Sequence, residues 1–297
     1  LLGKSSGGNR VHFYSEIADH RQRASKQLEK DLLIAVENDQ LCLVFQPQVN
    51  LFTGQIAGVE ALLRWDHPNR GMISPDDFIL LAESNRAVIP IGLWVLDNAC
   101  KTLAQWHDAG FNDLALSINI SAVQLHHPGM IHDLERILHH YGLPAGSITL
   151  EITESSVMED LEAAIATMYE IHALGVRLAI DDFGTGYSSL SYLRRMPIDE
   201  VKLDRSFFTD LDGHINGIKI VEAMIQLGHS LNLQVVAEGT ETPAHVELLQ
   251  KCRCDRAQGF YYSEPRKADD FLALLSGKIA LRTSSVAPSP VISASLA

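Results

Sequence analysis

Asp181 and Asp182 stand side by side at the end of an apolar run, Arg177-Leu178-Ala179-Ile180. Phe183-Gly184-Thr185-Gly186-Tyr187-Ser188-Ser189 follow them. Two adjacent carboxylates at a strand end repel each other and stay ionised together only beside a positive charge. A divalent metal site meets that demand. Further polar groups occur in the same kind of place, after apolar strand-like runs: Glu60 and Arg64, Asn119 and Ser121, Glu151 and Glu154, Lys202 and Asp204, Glu238 and Glu241, and Gln258. Oxygen ligands without histidine or cysteine point to Mg²⁺ or Mn²⁺ rather than zinc. The set exceeds what one Mg²⁺ needs, because that ion keeps several waters, so two ions are expected, with Asp181 bridging and Asp182 on the second. Two ions about 4 Å apart clamp a phosphodiester and generate hydroxide between them. Lys202 either accepts a proton from the attacking water or stabilises the phosphate, and the sequence leaves both roles open.

Each of these residues also has a plainer reading. A single glutamate after an apolar run is usually a helix-cap partner or a solvated side chain. Asp-Asp before Phe-Gly forms an Asx turn in many loops, and Lys202 with Asp204 makes an ordinary salt bridge. The argument for chemistry is their joint occurrence at consecutive strand ends, a placement that independent surface acids do not prefer. The 13 histidines receive no chemical role: the pairs His126-His127 and His139-His140 fall on or beside helices.

The elements that must position these groups are readable as a pattern. Residues 41–49, interrupted by Pro47, and 55–65 read as two strands joined by a turn at Phe52-Thr53-Gly54, hence antiparallel. Ser74 as N-cap with Pro75 behind it opens a helix, and a longer one is expected over 87–109, stopped by Gly110. Strands over 114–120, 148–152, 176–180, 198–203, 233–237 and weakly 257–261 then alternate with helices over 131–141, 156–174, 188–195, around 220–231, 243–251 and 268–275. The helix from 156 is read as starting on a capping box, Ser156-Val157-Met158-Glu159. Such alternation argues for an α/β fold with a parallel sheet. The strand number fits a modified (β/α)8 TIM-like barrel with one antiparallel strand near the start better than an open doubly wound sheet. In a barrel, the polar groups above all fall at the C-terminal strand ends, where barrel chemistry gathers.

Composition bounds the rest. The chain has 297 residues, 46% of them hydrophobic, enough for one large core. Its formal net charge of -13 argues against a basic surface for duplex nucleic acid, but not against a phosphate substrate whose charge metals offset. No run of about 18 apolar residues occurs, so no direct membrane insertion by this segment is expected. Leu1 to Lys4 lacks the order of a signal peptide, and Cys252 and Cys254 lack a second pair or a nearby histidine at zinc spacing. A reduced, cytoplasmic setting is expected. Helical spacing of Leu28, Leu32, Ala35 and Val36 predicts a leading helix within 15–38, with a solvated linker as the alternative. The Ser- and Pro-containing tail, 279–297, is expected to be disordered.

At these residues the chain resembles the EAL domain family, cyclic di-GMP phosphodiesterases. The motifs are Glu60-Ala61-Leu62 with Leu63-Arg64-Trp65, Asn119-Ile120-Ser121, Glu151-Ile152-Thr153-Glu154, Asp181-Asp182-Phe183-Gly184-Thr185-Gly186, Val201-Lys202-Leu203-Asp204, Ala237-Glu238-Gly239 and Ala257-Gln258-Gly259-Phe260. The resemblance runs from about Leu28 to Leu275, and it implies a barrel over 39–278. It implies hydrolysis of cyclic di-GMP to linear 5′-pGpG. Glu60, Asn119, Glu151 and Asp181 would hold one Mg²⁺ or Mn²⁺, and Asp181, Asp182 and Glu238 a second, with Asp204 reaching it through a water. Lys202 would be the base or water-orienting residue, and Glu60 and Glu238 are counted with it as catalytic. Gln46, Leu63, Arg64, Ser121, Asp204, Glu241 and Gln258 would contact the dinucleotide. Glu154 would anchor the loop of Phe183, Gly184, Thr185 and Gly186, which in this family couples metal binding to contacts in a homodimer. Residues 1–14 resemble the tail end of an upstream GGDEF domain, so GGDEF or sensor domains in cis are expected, and the resemblance is compatible with anchorage of the full-length protein to an inner membrane through them. The alternative is a non-catalytic cyclic di-GMP receptor or dimerising regulatory module.

Overall fold

Asn50 ends the first strand, and its side chain builds the turn that follows. Its Oδ1 accepts from the backbone N–H groups of Phe52 and Thr53, each at 2.9 Å, and Gly54 takes a φ of 70° that a side chain would oppose. This turn joins β1 (Leu41–Asn50) to β2 (Ile56–His67). The computed structural model describes residues 27–185, 190–209 and 215–281. The expectations for 1–14, for 282–297 and for Gly186 lie outside the described residues, as does the first part of the leading segment.

The described chain falls into two units. The smaller comprises the residues up to Cys42 together with Arg64–Val88. It contains helix α1 (27–33), strand β3 (Gly71–Ile73), which pairs antiparallel with the end of β2, and helix α2 (Pro75–Ser84). Leu28, Leu32 and Ala35 are buried, as their spacing predicts. The helix nevertheless stops at 33 and gives way to turns, closed where Asp39 takes a φ of 53° and Gln40 N–H returns to the Ala35 carbonyl at 3.0 Å. Within this unit the buried Trp65 packs edge-on to Phe78 and its Nε1 donates to Gln40 Oε1 at 3.1 Å.

The larger unit is the barrel. Its further strands are β4 (Ala115–Asn119), β5 (Ile148–Thr153), β6 (Arg177–Phe183), β7 (Glu200–Leu203), β8 (Gln234–Ala237) and β9 (Arg256–Ala257). The order β1-β9-β8-β7-β6-β5-β4-β2 closes on itself through a β1–β2 pairing. Pairs from β2–β4 round to β8–β9 are parallel, and β1 runs antiparallel to β9. The expected barrel with an antiparallel strand near the start is therefore the observed fold.

The crossover helices are α3 (Val88–Asp108), α4 (Ala122–Leu125), α5 (Met130–Tyr141), α6 (Glu154–Glu159), α7 (Leu161–Ala173), α8 (Leu190–Leu193), α9 (Ser206–Thr209), α10 (Ile215–Ser230), α11 (Pro243–Lys251) and α12 (Ala268–Leu275). Thr242 caps α11 and Pro243 stands in its first turn, as the dipeptide predicts. The expected capping box at Ser156 does not form. Thr153 is the cap, accepting from Ser156 N–H at 3.3 Å, and Asp160 breaks the helix and caps α7 by accepting from Ala163 N–H at 3.4 Å. Ser74 occupies an N-cap position, but its side chain makes no cap bond. The last strand shrinks from the expected 257–261 to Arg256–Ala257, because the Tyr261 N–H bonds instead to the distant Thr240 carbonyl and the Tyr262 N–H to the Gly259 carbonyl in a turn.

One aromatic cluster ties β1 to the outer helices. Trp106 of α3 lies 4.9 Å from Phe45 and 5.0 Å from Phe271 of α12, centroid to centroid. Phe271 is wholly buried. Phe271→Ala is expected to lower unfolding free energy by about 3–5 kcal/mol in a urea titration, the usual cost of emptying a buried aromatic site. A loss below about 1 kcal/mol contradicts this packing role.

Candidate metal centre

Adjacent residues on a regular strand face opposite sides, so Asp181 and Asp182 do not share a site by default. The end of β6 departs from regularity in two ways. Its register against β7 shifts between Ile180 and Phe183, and Asp182 adopts a φ of 55°, in the left-handed region. A bulge re-aims a side chain, and aspartate is among the few residues that tolerate that φ. Asp182 N–H also donates to Asp181 Oδ1 at 2.9 Å. The result is a group in which Asp181, Asp182 and Glu238 each place a carboxylate oxygen within 4.8 Å of the others.

Strand ends bring the remaining residues into the same cluster. Glu60 comes from β2, Asn119 from β4, Glu151 from β5, Lys202 from β7, and Gln258 follows β9. Lys202 is fully buried at the centre. Its Nζ lies 2.6 Å from Glu151 Oε2, 2.6 Å from Glu238 Oε1, 3.4 Å from Asp181 Oδ1 and 3.5 Å from Glu60 Oε2. Asn119 Nδ2 donates to Glu60 Oε1 at 2.6 Å, and Gln258 Nε2 donates to Glu60 Oε2. Gln258 Nε2 also reaches Gln46 Oε1 at 3.1 Å, and Gln46 Nε2 donates to the Ser263 carbonyl at 3.2 Å. No motif points to Ser263, since only its backbone is used.

One lysine cannot balance this many acids, and the protonation preferences express that excess. Burial pushes the Glu151 carboxyl well above the ordinary carboxylate range, and Glu60 beside it adds to the push. Burial lifts Glu238 to about 8 against the pull of Lys202. Asp182 is raised by burial, then by Asp181 and Asp204. Glu60 is the exception. Burial pushes it up too, but Lys202 and the amide donors of Gln258 and Asn119 outweigh burial and hold it below its ordinary value. Burial opposes the charge on Lys202, yet Asp181, Glu151, Glu238 and Glu60 more than compensate and hold its proton far above the usual lysine range.

Two buried atoms lack a protein partner here: Glu151 Oε1 and Gln258 Oε1. A buried carboxylate oxygen without a hydrogen bond is costly unless a cation takes it. The donors around it are carboxylate and amide oxygens, the set that hard divalent ions select. The residues present therefore fit a divalent metal.

Other sequence candidates have different surroundings. Glu154 is buried, and its Oε2 accepts from Gly184 N–H at 3.1 Å. Gly184 has a φ of 93°, and a Cβ there would stand 2.6 Å from Met224 Cε and 2.8 Å from Phe207 Cζ, so glycine alone fits. Phe183 is buried, and Thr185 Oγ1 donates to the Asp182 carbonyl at 2.8 Å. Asp204 is half-buried and accepts from Ser206 N–H at 3.0 Å. Ser121 caps α4 in a reciprocal bond pair with Gln124. Glu241 is exposed, and its N–H donates to His245 Nδ1 at 3.4 Å. Leu63 and Arg64 are half-buried on β2, Arg64 opening the smaller unit.

Comparison with known proteins agrees with this geometry. The chain is 41% identical over 270 residues to the bifunctional diguanylate cyclase/cyclic di-GMP phosphodiesterase MucR of Pseudomonas aeruginosa, covering 91% of this chain and 39% of that protein. It is 39% identical over 262 residues to the cyclic di-GMP phosphodiesterase NbdA of the same organism, covering 88% of this chain and 34% of that protein. The chain thus spans well under half the length of these curated relatives. Among solved structures, the PaMucR phosphodiesterase in complex with c-di-GMP superposes with a TM-score of 0.80 at 43% identity, covering 82% of this chain and 99% of that one. The EAL domain pattern matches residues 29–265, which include the whole cluster of acids around Lys202, and the chain belongs to the EAL domain family.

Proposed function

We propose that this chain hydrolyses cyclic di-GMP to linear 5′-pGpG with Mg²⁺ or Mn²⁺, two ions per site. The observation that carries the reading is the buried acid cluster around one lysine, with Glu151 Oε1 left without a protein partner. Glu60, Asn119, Glu151 and Asp181 would hold one ion, and Asp181, Asp182 and Glu238 the other, with Asp204 reaching it through a water. Such ions, when bound, activate water as a nucleophile and polarise the phosphoryl oxygens.

The protein's own groups do the rest. Asn119 and Gln258 fix the Glu60 carboxylate from its two oxygens. Lys202 keeps its proton among the acids and presents a fixed cation, which favours electrostatic stabilisation of the phosphate over proton abstraction. Gln46 and Gln258 form a buried amide pair, with Gln258 Oε1 left as a free acceptor for a nucleotide donor. Arg64 suits charge-assisted bonds to phosphate. The Glu154 bond to Gly184 N–H holds the backbone just after Asp182, and so the bulge that aims both aspartates. A receptor that binds without cleaving is the competing reading, and the complete acid set counts against it.

Incubation with cyclic di-GMP and Mn²⁺ or Mg²⁺ is expected to release 5′-pGpG, read by chromatography. Absence of product with either ion sinks the proposal, and binding without product favours the receptor. Glu60→Ala is expected to cut turnover by about 100-fold or more, since even groups that only support metal ligands contribute 10- to 100-fold. An active Glu60→Ala variant refutes the role given to Glu60.

A pH dependence follows from the raised carboxyls. With Glu151 well above its ordinary range and Glu238 at about 8, the metal-free site holds protons at neutral pH that a cation must displace. Affinity for Mn²⁺ is expected to rise as pH increases from about 6.5 to about 8.5, with proton release detected by calorimetry in buffers of different ionisation enthalpy. Affinity that is flat or falls over that range contradicts the assignment.

A further inference from the structure

One step further into the barrel from the metal centre, the wall is again polar. Residues two apart on a strand face the same side. Two positions before Asn119, Glu151, Lys202 and Gln258 stand Ser117, Thr149, Glu200 and Arg256, two before Glu60 stands Gly58, and two beyond Gln46 stands Gln48. Barrel interiors are ordinarily filled at such positions by branched apolar side chains. Here Gln48 and Glu200 are each 1% exposed. Gln48 Nε2 donates to Ser117 Oγ at 3.5 Å, and Arg256 Nη1 lies 3.4 Å from Glu200 Oε2. A Cβ on Gly58 would stand 2.7 Å from Gln48 Oε1 and 3.5 Å from Arg256 Nη1, so a side chain at 58 would press on the Gln48 amide while Arg256 lies at ordinary contact distance.

We propose that the buried Glu200–Arg256 pair is a positioning device for the phosphodiesterase site. It fixes β7 relative to β9, so that Lys202 and Gln258 grip the Glu60 carboxylate from two strands. The inference rests on the function proposed above. β7 and β9 are not neighbours, since β8 lies between them, so no backbone ladder joins them directly. Lys202 and Gln258 nevertheless converge on one atom, Glu60 Oε2. The ion pair is a side-chain link across β8 made by the residues on the same two strands, one layer below. A contribution to stability alone does not account for it. Buried ion pairs are weak stabilisers, and Glu200 leaves its Oε1 without a hydrogen bond.

Glu200→Gln keeps the shape and removes the charge of the pair. Its kcat at saturating Mn²⁺ is expected to fall about tenfold with KM for cyclic di-GMP unchanged, since misplacing a reacting group by a fraction of an ångström costs that much or more. Mn²⁺ affinity, read by electron paramagnetic resonance without nucleotide, is expected to weaken in parallel. A Glu200→Gln protein that is merely less thermostable, with the parent's kcat and Mn²⁺ affinity, overturns the proposal. Arg256→Lys leaves both charges in place but removes the guanidinium that reaches Glu200 across β8. It is expected to show the same loss, and it decides the matter if Glu200→Gln does not fold. A parent protein that binds Mn²⁺ but releases no product refutes the phosphodiesterase reading alone, and the Mn²⁺ affinities then still decide the role of the pair.

Discussion

A lysine with no exposure to water, held among four carboxylates, is the constraint on which the rest of this structure depends. Removing that many charges from water is costly, and the mutual attraction offsets it only where geometry is close and further hydrogen bonds satisfy the remaining atoms. The protein meets part of the demand with amides, Asn119 and Gln258 on Glu60. It leaves another part open. Glu60, Glu151, Asp181, Asp182 and Glu238 carry five negative charges when ionised and Lys202 one positive, a remainder of four. Two divalent cations would balance that remainder, and without them protons on Glu151 and Glu238 offset part of it.

The fold supplies what this charge cluster requires. Parallel strands present their C-terminal ends together, and the crossover helices of a barrel keep them in a ring. A regular barrel offers one inward side chain every second residue. Here two adjacent carboxylates, Asp181 and Asp182, join one group with Glu238, and local irregularity accompanies that placement: the register shift of β6 against β7, the left-handed backbone at Asp182 and the Glu154 bond to Gly184 N–H. Strain of this kind persists where surrounding contacts over-determine it, and Gly184, wedged against Met224 and Phe207, is such a place.

Much of this was legible in the sequence because its signals are local. Strand runs ending in acids, Pro and Thr at the start of α11 and the β1–β2 turn all depend on a few consecutive residues. The Asp181-Asp182 pair announced a cation for the same reason, since like charges in adjacent residues interact whatever the fold. The misreadings arose where competing local signals were nearly equal. Thr153 and Asp160 proved better caps than Ser156, and α6 and α7 are two helices where one was expected. The role of Glu200 and Arg256 was not legible, because it depends on the register of strands 56 residues apart. Ser121 illustrates a further limit. A hydroxyl after a strand suits a ligand or a helix cap equally, and here it caps α4.

The charge balance can be measured without reference to turnover. The number of Mn²⁺ ions bound per chain, counted by electron paramagnetic resonance at saturating metal and mildly alkaline pH, tests it most directly. Two ions per chain are expected, with Asp182→Asn reducing the count to one. A parent protein that binds one ion or none contradicts the account.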